Sequence, residues 1–217
     1  DRAEARIQSL SEIADQSGLM YLPKLQCVAQ LATLSGDVDA ARDAVDAAIR
    51  TAEERGETHT LRLVLAVSGT FELSLGNPPA AVPLLARSRE ISVALGVGDP
   101  CMLLSFVAEV EALVEVGDLV TASDVLDRFA AAGAGERRPW LEQTVARLRG
   151  ILAAAGGDLA GGIACLEAAT AAEHDMPLPL HRARTWLALG KACRRAKQRG
   201  RARDALDEAR TRFAELD

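Results

Sequence analysis

Residues 182–216 read RARTWLALGKACRRAKQRGRARDALDEARTRFAEL. Two runs of helix-forming residues flank the polar phrase Lys197-Gln198-Arg199-Gly200. Leu189, Gly190, Cys193, Ala202, Leu206 and Ala209 lie 3, 4, 7, 16, 20 and 23 residues after Trp186. This spacing places one apolar stripe on each of two helices that fold back on one another. Small residues let the two helices approach, and large ones fill the gap to the next hairpin.

A similar turn recurs earlier in the chain at Ser35-Gly36-Asp37, Leu75-Gly76-Asn77, Val116-Gly117-Asp118 and Gly156-Gly157-Asp158. Each is followed by a small residue, Ala41, Ala81, Ala122, Gly162 and Ala202, at steps of 40, 41, 40 and 40 residues. Such a period is the signature of a repeat array. First helices are predicted at 22–35, 59–75, 101–116, 139–155 and 181–196, and second helices at 38–55, 80–95, 120–132, 160–173 and 200–215. Residues 1–17 read as a second helix left over from an earlier unit. Glycine suits the left-handed position past a helix end, and Asp or Asn after it caps the next helix. Pro100, Pro139 and Pro179 fall at helix starts, where a missing N–H costs little, and Pro83 is read the same way. The expected fold is all-α: a right-handed superhelix of antiparallel hairpins in one array over 1–217, with hairpins at 19–56, 58–96, 99–133, 138–174 and 180–216.

The last unit resembles the tetratricopeptide (TPR) repeat, with Cys193 in the usual tyrosine place. Gly69 and Gly150 fall where Gly190 does; Leu25, Leu65 and Phe106 take the Trp186 place; Val45, Leu85, Leu126 and Leu166 take the Leu206 place. The third unit departs most, with Glu109 at an expected leucine position. The period exceeds the 34 residues of the standard motif. Residues 182–206, followed by Arg212-Phe213-Ala214-Glu215-Leu216, also resemble the helical-repeat region of large ATP-binding LuxR-family transcriptional regulators. That resemblance implies a bacterial parent with an N-terminal ATPase and a C-terminal helix-turn-helix. ATP and DNA would then bind separate domains, and this region would need no cofactor.

Composition agrees with a helical repeat. Of 217 residues, 41 are alanine and 3% are aromatic, which disfavours a β-sandwich. Four widely spaced cysteines, Cys27, Cys101, Cys165 and Cys193, do not form a disulfide framework and point to a reducing, cytoplasmic setting. All four are expected to be buried on apolar stripes. No signal peptide or membrane span is predicted, and the chain reads as a fragment of a larger protein. The net charge of −6 is uneven: residues 1–180 hold 14 basic and 26 acidic residues, and 181–217 hold 11 and 5. A basic end attracts phosphates. The plainer reading is a solvated face with intrahelical pairs such as Arg203–Asp207 and Arg201–Asp204.

Catalytic chemistry is not expected. Gly190-Lys191 lacks the rest of a phosphate-binding loop, and Gly156-Gly157 with Gly161-Gly162 follows no strand. His59, His174 and His181 form no metal motif, and the last two are assigned to an exposed loop. Glu109/Glu111 and Glu53/Glu54 are read as solvated. Binding remains, on polar or aromatic residues of the first helices, which line the inner side of a TPR array. The candidates are Tyr21, Lys24, Gln26, Gln30, Arg62, Glu72, Trp140, Gln143, Arg147 and Arg184. Trp140 either stacks on a ring-bearing ligand or staples its loop to the core. Two functions follow. One is the sensor region of a LuxR-type regulator, taking a small-molecule effector or regulatory protein. The other is a TPR scaffold for protein–protein interaction. Neither requires a membrane, and exposed array ends allow a homo-oligomer.

Overall fold

The turns close helix pairs in the computed structural model, which describes residues 38–133, 138–171 and 178–215. The helices predicted at 1–17 and 22–35 lie outside the described residues. The chain divides into two compact units, residues 1–97 and 98–217. In the first, α1 (Val38–Glu54) precedes the hairpin α2 (Thr58–Ser74) and α3 (Pro78–Ala94). In the second, a 3-10 turn (Pro100–Leu103) leads into three hairpins. These pair α4 (Leu104–Val116) with α5 (Leu119–Ala132), α6 (Pro139–Ala155) with α7 (Leu159–Ala171), and α8 (Pro179–Arg195) with α9 (Arg199–Ala214). The described residues contain no strand, so the all-α class holds. None of their helices is long and apolar enough to cross a membrane.

The turns end their helices by a shared device. The amides of Asn77, Asp118, Asp158 and Gln198 donate back to the carbonyls of Glu72, Leu113, Ala153 and Cys193 at 2.9–3.0 Å. The residue before each donor must take positive φ. That residue is Gly76, Gly117 or Gly157, but in the last turn it is Lys197 at φ 59°. Gly200, which the sequence reading placed in that turn, lies inside α9. Asp118 caps α5 by accepting from the Thr121 amide at 3.1 Å. Pro83 sits inside α3 rather than at its start, on the exposed side, where the lost amide is least costly.

Packing follows the predicted small-to-large pairing. A Cβ built on Gly69, Gly150 or Gly190 would stand 2.4, 2.7 and 2.6 Å from Cγ of Leu85, Leu166 and Leu206. Each of these three first helices therefore receives a second-helix leucine directly against its backbone. Ala41, Ala81, Ala122 and Ala202, at the small position, are buried. In the α6–α7 hairpin the approach is tighter, because a Cβ on Gly162 would meet the Gly150 carbonyl at 2.7 Å. The α6–α9 core joins Ile163, Leu166, Leu189 and Cys193 with alanines, and Trp186 packs against it. Cys193 is buried as expected, but Cys101 and Cys165 are exposed, and Cys27 lies outside the described residues. Cys165 falls on the solvent side of α7, and Cys101 lies in the 3-10 turn rather than on a helical stripe.

Candidate functional site

In the first unit, α1, α2 and α3 enclose a cleft of about 280 Å³ lined by Val45, Phe71, Ala80 and Leu84, with Arg42 and Glu72 at its wall. Arg42 donates to both Glu72 oxygens, Nε at 2.9 Å and Nη2 at 3.3 Å. Asn77 Nδ2 donates to Glu72 at 2.8 Å. The Arg42 hydrogen bond, against opposition from burial, holds the Glu72 carboxyl below its usual range. This network links α1, α2 and the turn before α3, and uses the Glu72 charge internally. Arg62 is 1% exposed, and its carbonyl accepts from Ser88 Oγ at 2.9 Å. Arg62 and Glu72 are thus buried rather than presented to solvent, because their aliphatic stems fill space between helices.

In the second unit, the first helices of three successive hairpins come together. Arg147 Nη1 on α6 donates to Glu111 Oε1 on α4. Burial pushes the Glu111 carboxyl up, but Arg147 and Arg184, together with the Arg147 hydrogen bond, hold it below the usual range. His181 shares the cluster. Burial, then Arg147 and Arg184, lower its pKa to about 4, and Glu111 opposes. The imidazole is therefore neutral at pH 7. Arg147 is 2% exposed, and its Nη2 and His181 Nδ1 are buried without a hydrogen-bond partner among the described residues. The Arg184 and Glu111 residues remain partly exposed as a whole. Lys191 Nζ on α8 reaches Glu115 Oε1 on α4 at 3.7 Å, across the intervening hairpin. Helices α4, α6 and α8 therefore converge on one side of the second unit.

Of the predicted site residues, the structure brings Arg147 and Arg184 together. Gln143 is buried one turn before Arg147. Trp140 meets Phe129 edge to face at 6.5 Å between centroids, so it staples α6 to α5. Tyr21, Lys24, Gln26 and Gln30 lie outside the described residues. Glu111 and His181 were missed. Glu109 is buried and Glu111 is paired, so neither is a solvated carboxylate, and His181 lies in α8 rather than in a loop. Their signal was in the spacing. Arg147 follows Glu111 by 36 residues and Arg184 follows Arg147 by 37, each one repeat less about one helical turn. That offset faces neighbouring first helices across their crossing. Among the described residues no group of three His, Cys, Asp or Glu is placed to hold a metal ion.

The expected pairs on α9 are replaced by others. Arg201 reaches Glu167 on α7, Arg203 lies 3.9 Å from Asp204, and Asp207 pairs with Arg210 at 3.3 Å. Arg212 stands over the Trp186 ring at 5.8 Å.

No family model and no curated protein sequence matches the chain. Solved structures do match. BtubC (BKLC) from P. vanneervenii aligns with TM-score 0.69 and 14% identity, covering 99% of this chain and 89% of that one. The nearly identical TPR-like repeats of a putative kinesin light chain from Podosopora anserina align with TM-score 0.61 and 19% identity, covering 91% and 97%. A point variant of those repeats gives 0.63 and 18%, covering 90% and 96%. At these identities the likeness shows the fold, a TPR-like array of helical hairpins.

Proposed function

We propose that the chain is a protein-interaction scaffold, and that the inner side of its second unit receives an extended segment of a partner protein. The observation that carries this is the charge cluster on α4, α6 and α8. It gathers two guanidinium groups around one carboxylate, while His181 stays neutral. Its net charge is positive, and Arg184 is its partly exposed cation. A core needs no such group, because burying a charge costs free energy unless it is fully paired. A carboxylate brought by a partner segment would complete the pairing. Arg147, being buried, acts by positioning Glu111 rather than by touching the partner.

The test is selection of displayed 15-residue peptides on the intact chain, followed by affinity measurement on variants. Enriched peptides should carry an acidic residue and bind Arg184→Glu at least tenfold more weakly, consistent with the loss of a charge-assisted contact. Arg128→Glu, on α5, should bind them unchanged. Failure to enrich any peptide, or equal loss in both variants, contradicts the proposal. The narrower role of a LuxR-type sensor rests on the resemblance over residues 182–216 alone. Its own check is a melting temperature raised by sugars, nucleotides or signalling metabolites. No cofactor and no catalytic step enters either role.

A further inference from the structure

The turn from α8 into α9 concentrates unbalanced charge. Arg194, Arg195, Lys197 and Arg199 are exposed, and none forms an ion pair with a described carboxylate. Arg201 and Arg203 stand beside them, paired to Glu167 and Asp204. The local choices oppose folding. Lys197 occupies a left-handed position that glycine fills in the other turns. Gln198 makes no side-chain cap, and the first turn of α9 holds no acidic residue. Arg199 and Arg201 sit at the positive end of the α9 dipole, where cations destabilise. The left-handed Lys197 and the cations at the start of α9, which the other turns lack, mark a segment shaped by something other than stability.

We propose that this turn is a docking surface for the phosphate backbone of a nucleic-acid duplex. Arginine forks match phosphate oxygens in bidentate geometry. The surroundings separate this partner from others. No exposed large hydrophobic residue of the chain lies beyond Leu180 among the described residues. A protein segment of ordinary composition needs apolar or aromatic anchors and an inserting contact with a bilayer needs apolar side chains, which leaves acidic segments and anionic lipid surfaces as the competitors to test. Single strands need aromatic platforms. Duplex phosphates need cations alone. This surface is separate from the inner-side cluster and does not depend on it.

The experiment is fluorescence anisotropy of a labelled 20-base-pair DNA duplex with the intact chain, titrated from 50 to 200 mM salt. Four phosphate contacts give a slope of log affinity against log salt of about −3.6. The R194Q/R195Q/R199Q variant should bind at least tenfold more weakly at 50 mM salt, while R128Q/R149Q, which removes exposed arginines elsewhere, should bind as the parent does. Lys197→Gly guards against a folding artefact, because it relieves the backbone and removes one charge together. It should melt higher than the parent, bind several-fold more weakly and flatten the slope by about one. Absence of duplex binding at 50 mM salt overturns the proposal. So does equal loss in both arginine variants, or tighter binding of anionic phospholipid vesicles or a poly-glutamate peptide.

Discussion

Lys197 holds a backbone conformation that costs a side-chain-bearing residue about 1–2 kcal/mol. Three residues later Gly200 sits in the first turns of α9, where a Cβ would meet nothing within 4 Å. The two positions carry each other's preferred residue. Lys197→Gly should raise stability by about 0.5–1 kcal/mol, and Gly200→Ala by a similar amount through reduced unfolded-state entropy. Urea midpoints of the two single variants check this, and a fall in either contradicts the assignment of the turn. His181 makes a second residue-scale prediction. Its pKa near 4 lies below the ordinary 6.5. Between those values the unfolded chain binds a proton that the folded chain does not, so stability falls as pH drops from about 6.5 toward 4. Glu111, held low, loses its contribution at the acid end of the same range. His181→Gln should flatten the fall in melting temperature between pH 7 and pH 5. An unchanged slope would place the imidazole in solvent.

At the scale of the element, the hairpins differ in how closely their helices meet. Gly150 and Gly162 face one another between α6 and α7, each with a backbone atom of the other helix within about 3 Å of a built Cβ. Alanine fills the Gly162 place in the neighbouring hairpins, yet Gly162→Ala should destabilise this one by about 1–3 kcal/mol. Gly150→Ala should act in the same direction, and chemical denaturation measures both. Stability unchanged by Gly162→Ala would mean the two helices separate freely. These contacts were legible in the sequence because they repeat: glycine on the first helix and leucine sixteen residues later recur at Gly69, Gly150 and Gly190. The turn carrying Lys197 was placed within one residue, but its left-handed position is held by Lys197 and not by Gly200 three residues later. The Glu111–Arg147–Arg184 cluster showed in the sequence only as steps of 36 and 37 residues, which hairpin periodicity alone does not turn into contacts. Its members lie on three different hairpins, and they meet only through the crossing of neighbouring first helices. Arg62 and Arg147 looked solvent-facing by residue type, but their aliphatic stems pack between helices and carry the guanidinium groups out of solvent.

For the whole molecule, the net charge of −6 conceals two opposed fields. Residues 98–180 carry most of the acidic excess, and the last hairpin carries the basic one. Within the second unit, bridges such as Glu167–Arg201 and Glu115–Lys191 join the two fields across hairpins. The remaining charge falls in two places, the partly exposed Arg184 on the inner side and the turn between α8 and α9. Amide hydrogen exchange of the intact chain, with and without the tightest selected peptide, reads out directly whether a partner segment occupies the inner side. New protection is expected in α4, α6 and α8, around residues 108–115, 143–150 and 181–191. Protection confined to α5, α7 and α9, or no change despite saturation, would contradict it.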